Sequence, residues 1–411
     1  MLLGCCLTKI GKKGRQGEKE KFRRFPCFFS LGRSHSLGWP FGLWVWNEGR
    51  DVQKTILNFA QHLTFFKSFS PLLHPKKIRL LLPCITPRKV WNFARLWYSY
   101  HLSRWRGSNL HRGNPLKVGF EPTTFCNLRC PECPSGLRSF TRPTGMSDMA
   151  LFQSVIDQLY RDLVYLLIYF QGEPYLHPNF LDMVAYARKH GIYTATSTNG
   201  HYLSEERARQ TIESGLSELI VSIDGTTQET YQAYRVGGKL EKVKEGVKRL
   251  VAWREKLGKK HPFIILQFLV VRPNEHQIPE VLALGKELGV DKVALKTAQI
   301  YDFEQGNELI PTQERYSRYA RQADGSYRIK NKLHNQCWKL WQGAEITWDG
   351  KVLPCCFDKD AKYEMGSLQE KSFPDIWRSA PYDRFREQIL SSRKSIDICQ
   401  NCTEGTKVWG G

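Results

Sequence analysis

The chain has 411 residues, enough for two or three domains at about 150 residues each. Its 41% hydrophobic and 25% charged residues exclude a mostly disordered chain, and no run approaches the ~20 uninterrupted apolar residues of a membrane-spanning helix. The formal charge of +21 is concentrated, because residues 1–117 hold 22 Lys and Arg against 4 Asp and Glu, while the remainder is near neutral. Met1–Arg15 lacks the order of charge and apolar run found in a secretory signal, so a cytoplasmic protein is expected.

Residues 1–87 show little sustained periodicity and read as a basic, irregular extension, with one helix expected at Asp51–Phe66. Residues 88–115 form an amphipathic helix over Val90–Arg106 and a linker. Its stripe of Trp91, Ala94, Trp97, Tyr100 and Trp105 is expected to pack on its own domain; the basic helix would also suit a membrane surface. From Leu116 onward short apolar runs alternate with helical patterns. Strands are expected at Leu116–Glu121, Tyr165–Phe170, Tyr193–Ser197, Glu218–Ile223, Phe263–Val271 and Lys292–Lys296. Helices fall between them, at Ala150–Asp162, Asn179–Lys189, Glu205–Ser214, Leu240–Lys256 and Ile278–Leu288. That alternation is the signature of parallel βα units. A full eight-unit barrel takes about 250 residues, roughly 31 per unit, so residues 116–300 accommodate about six. The expected fold is α/β: an open, partial six-unit (βα) barrel. Residues 301–411 make a smaller unit with a hairpin at Glu345–Leu353 around Asp349-Gly350.

Cysteine carries the chemistry. Cys126, Cys130 and Cys133 form a C-x3-C-x2-C loop directly after the first strand. Three thiolates from one loop suit three irons of a 4Fe–4S cluster and leave the fourth iron open. A structural zinc site wants four closed ligands, usually from two C-x2-C pairs, and this loop offers one such pair. In the last unit Cys337 precedes Gly350 by twelve residues, Cys355 follows after four more, and Cys399 and Cys402 form a C-x2-C pair. These four can ligate one further 4Fe–4S cluster, although two-plus-two thiolates also suit zinc. Cys356 is a spare that can stand in for Cys355. His177 and His190, beside helix ends, read as capping or surface residues.

The first loop, on the strand where it lies, resembles the radical S-adenosylmethionine (radical SAM) superfamily, over about 70% of the chain. It departs before the third cysteine, where the family has an aromatic residue and this chain has Glu132. Gln171-Gly172-Glu173-Pro174 matches the Gly-Gly-Glu-Pro element that binds the methionine amino group, with Gln171 in place of the first Gly. The resemblance implies further cofactor contacts at strand ends: Ser197 and Asn199 after the third, Ser222 and Asp224 after the fourth, and Arg235 beyond. Ser222 and Arg235 are the candidates for the carboxylate and Asn199 for the ribose region. The C-terminal spacing resembles a shortened SPASM extension of the kind found in enzymes that mature peptides and proteins. The resemblance therefore implies reductive cleavage of S-adenosylmethionine to a 5′-deoxyadenosyl radical, hydrogen abstraction from a peptide or protein, and a low-potential donor such as flavodoxin or ferredoxin. Two alternatives stand beside it. One is a small-metabolite substrate, and the other an RNA-binding or RNA-modifying protein docking through the basic N-terminus. No interleaved aromatic and basic nucleic-acid motif accompanies that segment, so nucleic acid is not the expected partner.

Overall fold

A computed structural model of the chain describes residues 74–403. The helix expected at Asp51–Phe66 lies outside them.

Two helices come first. Pro75–Leu81 (α1) is held by charge: Lys76 pairs with Asp291 at 2.7 Å and Lys77 with Glu218 at 2.6 Å, both carboxylates being almost wholly buried. Ordered packing therefore reaches N-terminal of Pro87, through ion pairs that leave no hydrophobic period in the sequence. Pro87–Arg106 (α2) follows, with the Thr86 hydroxyl accepting from the Lys89 amide at 3.3 Å and Gly107 ending it at φ 66°. A Thr cap, a Pro start and a left-handed Gly stop are the local reasons it forms there. Its aromatic stripe divides. Tyr100 is buried against Trp338 and Trp341, whereas Trp91, Tyr98 and Trp105 remain exposed.

The βα alternation appears as expected. The strands are Lys117–Phe120 (β1), Tyr165–Leu167 (β2), Tyr193–Thr198 (β3), Glu218–Ser222 (β4), Phe263–Val270 (β5) and Lys292–Thr297 (β6). A short turn of helix, Pro134–Leu137 (α3), follows the first cysteine loop. The longer helices are Met149–Leu159 (α4), Phe180–Lys189 (α5), Glu205–Glu213 (α6), Leu240–Lys256 (α8) and Ile278–Glu287 (α9), with a short one at Gln228–Tyr234 (α7) that the periodicity missed. Asp148 and Ser204 cap α4 and α6 through the amides of Leu151 and Arg207. β1 to β6 pair in sequence order, all parallel.

The C-terminal region comprises β7 (Tyr319–Arg321), β8 (Tyr327–Ile329), α10 (Trp338–Gln342), β9 (Gly343–Ile346), β10 (Lys351–Leu353), β11 (Gly366–Ser367), α11 (Phe373–Trp377), α12 (Ala380–Ser392) and α13 (Asp397–Gln400). The expected hairpin exists as β9–β10. Its first strand also pairs in parallel with β1, Gly119 opposite Glu345, so one nine-stranded sheet runs β11-β10-β9-β1-β2-β3-β4-β5-β6.

The sheet has two unlike faces. Val118, Phe120, Leu166, Ile168, Leu219, Val221, Leu266 and Phe268 point into the apolar core shared with the helices. Alternate residues on a strand face opposite sides, so Lys117, Gly119, Tyr165, Ser197, Ser222, Gln267, Lys292, Lys296 and Glu345 line the other face. That polar face ends at the loops carrying the cysteines.

Candidate active site

The first cysteine loop leaves β1 and closes into α3. Cys130 is buried, and Cys126 and Cys133 are half-buried, packed with Leu128, Tyr234, Ile300 and Phe303; all three are free thiols. The Leu128 amide donates to Cys126 Sγ at 3.5 Å, and Arg235 Nη1 lies 3.8 Å from Cys130 Sγ. Burial pushes the Cys126 thiol up to about 11 and raises that of Cys130 as well. Such thiols give up their protons near neutrality only to a strongly bound metal group, as coupled metal binding and deprotonation require. Three soft donors on one loop, their thiols acting on one another, are the donor chemistry of an iron–sulfur cluster.

The second loop is clamped onto the first. Gly172 adopts φ 72°, and a Cβ there would fall 2.3 Å from the Thr123 carbonyl oxygen, so only glycine permits this approach. Its amide donates to Ser135 Oγ at 2.9 Å, and the Glu173 amide to the Phe125 carbonyl at 2.8 Å. Glu173 is buried and receives the Thr198 hydroxyl (2.8 Å), the Asn199 amide (2.7 Å) and the Tyr175 amide (3.2 Å). Burial pushes its carboxyl up to about 7 despite these donors. Asn199 Nδ2 donates to Asn127 Oδ1 at 2.7 Å and lies 3.9 Å from Cys126 Sγ.

Asp224 is buried at the end of β4, where it accepts from Arg235 Nε and from the Leu269 amide. Arg235 thereby spans Asp224 and Cys130. Of the residues expected at the cofactor site, Gly172, Glu173, Pro174, Asn199, Asp224 and Arg235 thus gather around the first cysteine loop. Ser197 and Ser222 lie beside them on the polar face. His177 does act locally, bonding the Ser147 carbonyl and the Asn179 amide.

Three residues have contacts that the sequence reading did not assign. Tyr169 continues the Tyr165 period of β2, and burial and the Cys133 thiol raise its hydroxyl pKa. Glu132 accepts from the Tyr301 amide at 3.0 Å, tying the cysteine loop to the C-terminal region in place of an aromatic contact. Arg142 forms a buried bidentate pair with Glu121, at 2.7 and 2.9 Å, and donates to the Lys359 carbonyl. No spacing rule marks the last two.

Three thiols of the second set, Cys337, Cys399 and Cys402, lie near Arg393. Cys399 and Cys402 are buried, and Arg393 Nη2 donates to Cys402 Sγ at 3.5 Å. Burial opposes the Arg393 charge, but the thiols of Cys337, Cys402 and Cys399 outweigh it. Burial pushes the Cys399 thiol up to about 12. A hydrogen bond with Cys356, together with burial, pushes the Cys355 thiol up, while Cys356 accepts a 3.0 Å contact from Lys339 Nζ. Three soft donors beside one guanidinium, with Cys337 also acting on Cys355, are the donor chemistry of an iron–sulfur cluster.

Comparison with known proteins matches the regions that hold the two thiol sets. Residues 120–253 match the radical SAM superfamily, and residues 337–403 match SPASM, an iron–sulfur cluster-binding domain. The chain is a radical SAM enzyme with a SPASM-type domain. Its cofactors are accordingly a 4Fe–4S cluster with S-adenosylmethionine in the first domain and auxiliary iron–sulfur binding in the second. The tungsten-containing aldehyde ferredoxin oxidoreductase cofactor-modifying protein of Pyrococcus furiosus is 29% identical over 323 residues, covering 69% of this chain and 86% of that protein. PqqA peptide cyclase of Gluconobacter oxydans is 26% identical over 317 residues, covering 72% and 85%. Among solved structures, anSMEcpe with bound AdoMet shares the fold at TM-score 0.53 and 17% identity, covering 72% of this chain and 88% of that one. Streptococcus suis SuiB bound to precursor peptide SuiA does so at 0.51 and 12%, covering 83% and 81%. No described helix is long and apolar enough to cross a membrane.

Proposed function

We propose that the enzyme modifies a peptide or protein side chain, and that Cys126, Cys130 and Cys133 hold its first cluster. The observation carrying the peptide reading is the similarity to PqqA peptide cyclase, which covers 72% of this chain and 85% of that protein. The edge position of β6 beside the polar face supports it, since an open sheet edge admits an extended segment. When bound, the first cluster supplies the electron that cleaves S-adenosylmethionine to methionine and a hydrogen-abstracting 5′-deoxyadenosyl radical. The chain's own part is placement and exclusion of water. Gly172 lets the second loop close on the first, and Glu173 with Pro174 presents an acceptor edge to the methionine amino group. Arg235, steered by Asp224, and Ser222 face the carboxylate; Asn199 and Ser197 face the ribose side. Cys337, Cys355, Cys399 and Cys402 would hold the auxiliary cluster, which would accept the electron left on the substrate radical, while a flavodoxin- or ferredoxin-like protein would supply the electron for cleavage at the first cluster. A small cofactor as substrate is the second reading, favoured by the similarity to the Pyrococcus furiosus cofactor-modifying protein.

The test uses anaerobically reconstituted protein and a mixed synthetic peptide library. Iron should reach about eight per chain, falling to about four when Cys126, Cys130 and Cys133 are all changed to Ala. The peptides should stimulate 5′-deoxyadenosine formation and lose hydrogen mass. Stimulation by a non-peptidic small-molecule extract alone would transfer the proposal to the second reading. Substantial 5′-deoxyadenosine from the triple variant would remove the ligand assignment.

A further inference from the structure

Among the described residues every exposed tryptophan lies on α2. Trp91 is 67%, Tyr98 59% and Trp105 80% exposed, and Val90 precedes them at 55%. Residues seven apart on a helix nearly superimpose, so Trp91, Tyr98 and Trp105 form one line about 21 Å long. The opposite face is fixed to the domain. Leu96, Ser99, Tyr100 and Ser103 are buried, and Phe93 meets Trp338 edge-on at 6.2 Å. The Asn92 side chain exchanges two 2.8 Å hydrogen bonds with the backbone of Asn114. Packing on one side therefore holds the aromatic line outward on the other, where large exposed rings in a row mark a contact surface.

Positive charge borders this line. With about 100° of turn per residue, Arg95 and Arg106 fall on one flank and Arg104 on the other. None of the three makes an ion pair among the described residues, and Arg104 lies 5.4 Å over the Tyr100 ring. At its Trp91 end the line opens on a cavity of about 290 Å³ lined by Arg88, Trp91, Asn92, Arg95, Asn114 and Asp162. Asp162 is occupied there, accepting Arg88 at 2.8 and 2.9 Å and Asn114 Nδ2 at 2.8 Å, so Arg95 sets the net charge of the cavity. Residues 74–117 contain ten Lys and Arg and no Asp or Glu, and residues 1–73 hold 12 Lys and Arg against 4 Asp and Glu. The N-terminal quarter of the chain thus brings no surplus of acid to these arginines.

A second copy of the chain would set one arginine-bordered helix against another with no acid between them. A nucleic acid would answer the arginines, but its bases would have to leave their stack to reach three rings in a row. A bilayer with acidic lipid meets both demands together, because indole and phenol rings settle at headgroup level while basic side chains beside them reach lipid phosphates. We propose that α2 seats the enzyme on such a bilayer, with Trp91, Tyr98 and Trp105 entering the headgroup layer and Arg95 and Arg106 meeting lipid phosphates. The contact is peripheral: one helix face enters the leaflet, and no described helix is long and apolar enough to cross it.

The test is flotation of the reconstituted full chain with vesicles of phosphatidylcholine alone and of phosphatidylcholine mixed with phosphatidylglycerol. The chain should float with the acidic vesicles, weakly with the neutral ones, and less as salt rises. Trp91→Ala and Trp105→Ala should each weaken partitioning about tenfold, and Arg95→Gln and Arg106→Gln about fivefold each. Trp91→Phe combined with Trp105→Phe should still float but lose much of the tryptophan quenching by brominated lipid, a signal that needs those indoles inside the leaflet. Iron content, thermal midpoint and S-adenosylmethionine cleavage should match the parent throughout, because every side chain changed is exposed. Failure of the parent to float with acidic vesicles, or equal flotation by the parent and the two Trp-to-Ala variants, overturns the proposal. So does a concentration-dependent dimer, or binding of a mixed RNA oligonucleotide, that those variants lose while the parent ignores vesicles.

Discussion

Gly172→Ala tests whether the two loops work as one clamp, with Gly191→Ala as its control. Both glycines have positive φ, 72° and 68°, so an alanine pays the left-handed penalty of about 1–2 kcal/mol at either position. At Gly191 nothing lies within 4 Å of the added Cβ, and that penalty is the whole effect. At Gly172 the Cβ falls 2.3 Å from Thr123 O, 2.8 Å from Thr124 C and 2.9 Å from Phe125 O. All three are backbone atoms, so relief requires moving the cysteine loop, which adds about 1–3 kcal/mol as overpacking does. Movement also strains the Glu173 amide to Phe125 bond and the Gly172 amide to Ser135 bond, each worth about 1 kcal/mol. The expected losses are therefore about 1–2 kcal/mol for Gly191→Ala and about 4–7 for Gly172→Ala with both bonds lost. Urea unfolding gives the energies, and iron analysis with S-adenosylmethionine cleavage reads the site. Gly191→Ala should keep its iron, whereas Gly172→Ala should lose the first cluster. If Gly172→Ala matched Gly191→Ala in stability, iron and cleavage, the clamp would have no part in forming the site.

Two further outcomes follow from buried charge. Burial, helped by the Arg386 charge, holds His111 down to about 3 against an ordinary value of 6.5, while its ring packs on Trp341 and Trp377. The unfolded chain takes up a proton below 6.5 that the folded chain refuses, so stability is lost as pH falls: about 2 kcal/mol between pH 7 and 5, an upper estimate for a half-buried ring. His111→Gln should flatten that slope in urea midpoints, and an unchanged slope would show that His111 is not responsible. A chain starting at Arg88 lacks Lys76 and Lys77 and leaves buried Glu218 with only the Tyr193 hydroxyl. It should be about 3 kcal/mol less stable than a chain starting at His74, the scale of a broken buried pair. Equal urea midpoints would show that α1 contributes nothing.

The sequence by itself determined what neighbours along the chain encode. The C-x3-C-x2-C spacing placed three thiols on one loop, and apolar periodicity located all six parallel strands with their long helices. Asp349-Gly350 marked the hairpin, and the amphipathic pattern marked α2 from Val90, three residues inside its start at Pro87. What only the tertiary structure decided are contacts between distant residues that leave no local pattern. β9 extends the sheet by pairing with β1 more than two hundred residues earlier, because edge hydrogen bonds are made by backbone, which every sequence shares. α1 docks through two lysines that in sequence are indistinguishable from the rest of a basic run. Glu132 looked like a defect in the motif until the Tyr301 amide supplied its partner. The polar face of the sheet is assembled from residues on β1, β6 and β9, too far apart in sequence for their charges to be read together. Strand alternation names the side each residue faces, but only the folded sheet brings those sides together, and electrostatic energy depends on distance in space.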